Sequence, residues 1–198
     1  MKSIADEPEG STPLDPNEIN GLKLKHITTR GELDELEQVN IESGLIWLGR
    51  RRNKGELLTE RFIRGLHRRL FGDVWKWAGQ FRLTEKNIGI DPLQIAVQLR
   101  ILLDDAGYWA ENYTFDPLEA GARFHHRLVG IHPFPNGNGR HARIAADAYL
   151  TERLGHAPID WTAGHDLQRT NERRNSYIAA LRAADAGDYG PLLTFVGA

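Results

Sequence analysis

Apolar positions recur at helical spacing along most of the chain. Between Thr29 and Arg51 they fall at Leu33, Leu36, Val39 or Asn40, and along the row Ile41–Leu45–Leu48, the spacing of one buried helix face. Thr29 followed by Glu32 reads as a capping box at its start. Gly44 weakens the middle of this helix without forbidding it. Leu58 to Phe71 predicts a second helix, with Thr59 as cap and Phe62, Ile63, Leu66 and Leu70 inward. Pro92 opens a long helix to about Asn112 that buries Ile95, Leu99, Leu102, Leu103 and Trp109. Asp116-Pro117 starts another, carrying Ala120, Phe124, Leu128 and Val129. Helices from Asn138 to about Leu154, from Asn171 to Ala184 and near Tyr189 to Phe195 follow, with a loop at Trp161. One segment breaks the pattern: Arg82 to Asp91, where Asn87 and Gly89 form turns and a short β-hairpin is expected.

The first fourteen residues mix Asp, Glu, Pro, Gly, Ser and Thr with little to bury, so an arm is expected, disordered or extended on the domain. The division is residues 1–28 as arm and 29–198 as one domain. A chain of 198 residues suits that and can bury a sizeable core. A formal net charge of −2 does not indicate a general nucleic-acid surface. Cys is absent, which rules out disulfides and thiolate metal sites. Without an apolar run of membrane-spanning length or a leader-like apolar start, the expectation is a cytoplasmic protein.

The chemistry concentrates in His132 to Arg143, His-Pro-Phe-Pro-Asn-Gly-Asn-Gly-Arg-His-Ala-Arg. Pro133 and Pro135 stop the preceding helix near Ile131 and leave His132 at the start of a stiff loop, which Phe134 pins into the core. Gly137 and Gly139 permit positive φ and close approach of a ligand. Asn138 is expected to cap the helix that follows, whose free N–H groups and dipole favour phosphate. Arg140 and Arg143, at i and i+3, offer two guanidinium forks to one anion. An imidazole beside bound phosphates suits removal of a proton from an attacking hydroxyl.

These residues resemble the signature of the Fic/Doc family, His-x-Phe-x-(Asp/Glu)-Gly-Asn-Gly-Arg-x-x-Arg, matched at every fixed position except the acidic one, Asn136 here. The resemblance implies an all-α fold, a helical bundle with a small β-hairpin flap beside the active site. It also implies an enzyme that transfers AMP from ATP to a protein hydroxyl. His132 would be the general base, and Gly137, Asn138 and Gly139 the anion hole. Arg140 would hold phosphates and Arg143 the γ-phosphate. At the acidic position the family ligates Mg²⁺, so Asn136 would be the metal ligand, for Mg²⁺ or Mn²⁺ with ATP, without formal charge. Trp77 to Arg82 is similar to the segment leading into the family's target-docking flap. That flap would comprise Thr84, Glu85, Lys86, Asn87, Ile88, Gly89 and Ile90, pairing with a target backbone by strand addition. Arg174, Asn175 and Tyr177 would line the base pocket, and an ordinary core tyrosine with polar neighbours is the alternative.

The family's inhibitory helix reads (Ser/Thr)-x-x-x-Glu-(Gly/Asn), a pattern not met strictly here. The nearest stretch runs from Gln38 to Glu42, making Glu42 the candidate to block Arg143. The motif wording and the Thr-Pro-Leu-Asp-Pro arm look like the subgroup called mobile mystery protein B, which implies a small helix-turn-helix partner, an antitoxin in character. Three alternatives stay open: a metal site built from His125, His126, His132 and His141, a nucleotide-binding module with weak catalysis because of Asn136, and kinase-like phosphotransfer with the nucleotide reversed.

Overall fold

Side-chain caps start the helices close to where the pattern puts them. The computed structural model describes residues 12–198 apart from 53 and 170. After a single turn, α1 (Pro16–Ile19), comes α2 (Arg30–Gly49), whose Thr29–Glu32 capping box forms as expected. Thr59 bonds the Phe62 N–H at the head of α3 (Glu60–Phe71). Pro92 opens a 3₁₀ turn that runs into α4 (Ile95–Asn112). The remaining helices are α5 (Pro117–Ile131), α6 (Asn138–Arg153), α7 (Glu172–Asp185, capped by Asn171) and α8 (Gly190–Val196). The described residues are all-α.

The pair α5 and α6 forms the centre. Ala142, Ala145, Ala146 and Ala148 are buried on α6, and these short side chains let neighbouring helices approach closely. Phe124 and Tyr149 meet at 5.1 Å between ring centroids, and the Tyr149 hydroxyl donates to the Ala106 carbonyl of α4 at 2.7 Å. Around this pair, α4 and α8 pack on α5, α3 packs on α6, and α2 lies against α3.

Two expectations are corrected here. The buried face of α2 is Leu33, Glu37, Asn40, Ile41 and Gly44, whereas Val39 and Leu45 are exposed. The face rotates because Gly44 sits against α3, where a Cβ would stand 2.8 Å from Leu70. Residues 82–91 form no hairpin, and the β pairing among the described residues is an isolated bridge between Leu22 and Trp75. The carbonyls of Thr84 and Ile90, which a ladder would use, accept instead from the Arg82 guanidinium.

The segment ahead of α2 is bound to the domain. Backbone bonds Lys23 N–H to Val74 O and Lys76 N–H to Gly21 O, both 2.9 Å, flank the bridge, and Leu22 and Ile27 are buried. The part of the expected arm before Thr12 lies outside the described residues.

Four histidines, His67, His125, His132 and His141, are buried. Burial holds His125 down to about 3, His132 and His141 to about 4, and His67 well below its ordinary value. Between the unfolded value of 6.5 and these folded values, the unfolded chain binds protons that the folded chain refuses, so stability falls as pH drops through that window. Asp147 acts oppositely: burial raises it to about 6, so its protonation favours the folded state below that value. Thermal unfolding followed from pH 7 to 5 should therefore show a falling Tm and net uptake of about three protons. A Tm independent of pH across this range would contradict it.

Candidate active site

The loop from 132 to 137 joins the two central helices and owes its shape to three side chains. Asn138 lies buried at the first position of α6, where its Oδ1 accepts from the Phe134 N–H at 2.9 Å and its Nδ2 donates to the Phe134 carbonyl at 2.7 Å. It therefore closes the loop and does not cap the helix, contrary to expectation. The N-cap position falls to Gly137, at φ 77°, where a Cβ would stand 2.7 Å from the Phe71 ring. Gly139 is an ordinary helical residue. No side chain caps α6, which leaves its first N–H groups facing the cavity described below.

Phe134 is fully buried, stacked on His67 at 3.8 Å and edge-on to His141 at 5.0 Å. His67 also takes the Gly79 N–H on Nδ1 and bonds the Asn136 carbonyl through Nε2, each at 3.0 Å. His141 bonds the Ile63 carbonyl, and His125 the Tyr177 hydroxyl. These histidines are structural struts, and among the described residues no group of three His, Cys, Asp or Glu stands together as a metal site.

His132 ends α5 in the left-handed region, φ 53°. Its Nε2 lies 2.9 Å from Oγ1 of Thr12. Burial is the larger cause of its lowered pKa and the Arg82 charge the second, while the Val129 carbonyl opposes them. The ring is therefore neutral at pH 7.

Arg82 is the residue that sequence reasoning passed over as part of a lead-in segment. It is 1% exposed, and its guanidinium donates to the carbonyls of His132 (2.6 Å), Thr84 (2.9 Å) and Ile90, while its backbone N–H bonds the Pro133 carbonyl. One cation thus ties the 84–90 loop to the carbonyl of His132. Gly89 permits this contact, since at φ 113° a Cβ would stand 2.6 Å from Arg82 Nη2 and 2.7 Å from His132 Cβ.

A cavity of about 380 Å³ opens in front of these groups, within the range of small-ligand sites. His132, Asn136, Gly137, Asn138, Gly139, Arg140 and Arg143 line it, together with Asn87 and Ile88 of the 84–90 loop and Arg174 and Tyr177 of α7. The expected motif residues are brought together. Asn175 is exposed and lies outside the lining.

Glu42 does not reach Arg143. It is exposed and accepts from Gln38 Nε2 at 3.1 Å. The α2 carboxylate that reaches the motif is Glu37, five residues earlier and so rotated by roughly 140° about the helix axis. Glu37 is 3% exposed, pairs with Arg140 at 2.6 Å and accepts from Trp75 Nε1 at 2.6 Å. It stands behind Arg140, outside the cavity lining, and orients that guanidinium without filling the space in front of it. A charged residue on the Leu33–Ile41 stripe was the signal that could have found it.

The Asn136 amide is engaged at both ends. Its Oδ1 accepts from the Gly137 N–H at 2.6 Å and its Nδ2 donates to the Thr12 carbonyl at 2.9 Å. Among the described residues no cluster of carboxylates or histidines stands beside it to complete a protein-held cation site.

A profile of the Fic/DOC family matches residues 57–150. Protein adenylyltransferase Fic of Aedes aegypti is 30% identical over 148 residues, 73% of this chain and 28% of that protein. Protein adenylyltransferase fic-1 of Caenorhabditis elegans is 32% identical over 139 residues, 66% of this chain and 25% of that protein. The chain belongs to the Fic/DOC family. The solved Fic-1 (residues 134–508) of C. elegans superposes with a TM-score of 0.64 at 29% identity, over 81% of this chain and 46% of that one. BepC of Bartonella tribocorum shares the fold at 18% identity, with a TM-score of 0.68 over 98% of this chain and 95% of that one. This Fic chain spans about a quarter of the length of the curated relatives it matches.

Arg82→Met removes the charge that the buried carbonyls share and leaves those acceptors unpaired. The expected cost is about 3 kcal/mol, roughly 10 °C in Tm. Denaturant and thermal unfolding check this, and a variant as stable as the parent would remove Arg82 from its role as the strut of this Fic site.

Proposed function

We propose that this chain is a protein adenylyltransferase, transferring AMP from ATP to a hydroxyl side chain. One observation carries the reading. A neutral, buried imidazole has its Nε2 on a hydroxyl, at the edge of a cavity that also receives the uncapped start of α6 and two arginines. The adenylyltransferase names of the curated relatives support it.

In this reading the triphosphate lies against the N–H groups of Asn138 and Gly139, which the dipole of α6 makes attractive to anions, and against that of Gly137 once the Asn136 side chain releases it. Arg140, oriented by Glu37, and Arg143, over the Tyr177 ring at 5.7 Å, hold phosphate oxygens. His132 accepts the proton of the incoming hydroxyl, whose oxygen attacks the α-phosphorus as pyrophosphate leaves. Arg82 and the 84–90 loop fix His132, so catalysis rests on positioning and preorganised charge. The base contacts belong to Arg174 and Tyr177. A cytoplasmic setting, and a divalent cation arriving with ATP, belong to the same proposal, and no step is assigned to the cation.

With α-labelled ATP and bacterial lysate, label should move onto protein, and His132→Ala should lower the rate by ~10²–10⁴-fold. Transfer of γ-label instead would establish phosphotransfer in place of this reading. The pH behaviour is equally specific. Because the His132 pKa is lowered to about 4, the base form is complete above that value and lost below it. Imidazole NMR of the nucleotide-free protein should show His132 protonating near pH 4, and titration at 6.5 would contradict its burial as the cause.

A further inference from the structure

A peptide already lies on the 84–90 loop, and it belongs to the same chain. Thr12 precedes Pro13 and Asp15 precedes Pro16, an arrangement that disfavours helical backbone at both residues, and Asp15 is extended at φ −71°, ψ 155°. The 84–90 loop holds this segment through side chains. Lys86, its side chain 3% exposed, donates to the Pro13 carbonyl at 3.1 Å, to Asp15 at 3.0 Å and to Glu18 at 2.5 Å. Thr84 Oγ1 donates to Asp15 at 2.9 Å, and Lys86 holds the Asp15 carboxyl below its usual range. At the other end Asn136 donates to the Thr12 carbonyl.

These contacts decide where the Thr12 side chain points. Thr12 is buried, and its hydroxyl oxygen lies 2.9 Å from Nε2 of His132, within hydrogen-bond reach of the atom from which a general base acts. Thr12 forms part of the cavity wall and does not fill the cavity: the α6 start, Arg140 and Arg143 still face about 380 Å³ of open space beside that hydroxyl. A plug would occupy the phosphate space. Here a hydroxyl stands on the base with that space open.

We propose that Thr12 is an intramolecular acceptor, so that the chain adenylylates its own N-terminal segment. The proposal rests on the AMP-transfer reading above. Thr12 Oγ1 forms a bond to the α-phosphorus of a nucleoside triphosphate and its proton passes to His132 Nε2. The bond from the α-phosphorus to the oxygen bridging to the β-phosphate breaks, and pyrophosphate leaves. The step involves no oxidation or reduction. Tethering and the two prolines replace a bimolecular encounter by a prearranged one.

The test uses the full chain with α-labelled ATP and Mg²⁺ or Mn²⁺, with no other protein present. Label should enter the chain with a rate constant independent of protein concentration, and peptide mass mapping should find one adenylyl group on Thr12. Thr12→Ser should retain the label, while Thr12→Ala and His132→Ala should lose it. Asp15→Ala, which loosens the segment without removing the acceptor, should slow labelling several-fold. Label on another residue, a rate that rises with protein concentration, or full labelling of Thr12→Ala would overturn the proposal. If lysate proteins gain α-label while Thr12 never does, the proposal falls and the AMP-transfer reading stands. If no α-label moves at all and calorimetry finds no nucleotide binding, both fall.

Discussion

One amide holds the site in shape. The Asn138 side chain bonds both backbone groups of Phe134, drawing residues 134–138 into a closed turn whose core-facing side is the Phe134 ring between two neutral histidines. Because Asn138 works inward, no side chain caps α6, and the free N–H groups there remain for an anion. The same closure, with Gly137 against Phe71, sets the direction from which α6 starts. Without that turn the arginines and the imidazole would share a sequence but no cavity.

Arg82 performs the complementary task for the other wall. A buried guanidinium is costly, and here the cost is offset by carbonyls arranged around its fork and by the charges of Asp91 and Glu85. Its charge reaches His132 as well, adding to burial in keeping the imidazole neutral. Structure and chemistry are therefore coupled through one side chain: the group that shapes the 84–90 loop also tunes the base beside it. Glu37 stands to Arg140 in a similar relation, fixing a cation from the side away from the ligand.

How much of this the chain disclosed in advance depended on how local each interaction is. Helix starts at Thr29, Thr59 and Asn171 were legible because a cap and its partners lie within four residues, and the start at Pro117 because proline suits the first helical turn. The cluster from His132 to Arg143 was legible because its chemistry is contiguous. Arg82 was not, since its acceptors are backbone carbonyls, which every residue carries and no sequence marks. The expected hairpin failed for the same reason, the Arg82 fork having taken carbonyls that strand pairing needs. Glu37 was hidden by distance, its partners Trp75 and Arg140 lying 38 and 103 positions away. The arm looked polar and unpartnered, yet its anchors are Lys86, Thr84 and the motif loop, far along the chain.

The central claim is spatial: phosphates gather at the start of α6 while His132 addresses a hydroxyl next to the α-phosphorus. A crystal structure of the full chain with a non-hydrolysable ATP analogue and Mg²⁺ tests it most directly. The α-phosphate should lie beside His132 Nε2 and Thr12 Oγ1, with the outer phosphates on Arg140 and Arg143. A γ-phosphate facing His132, or a nucleotide bound away from the 137–143 turn, would contradict it.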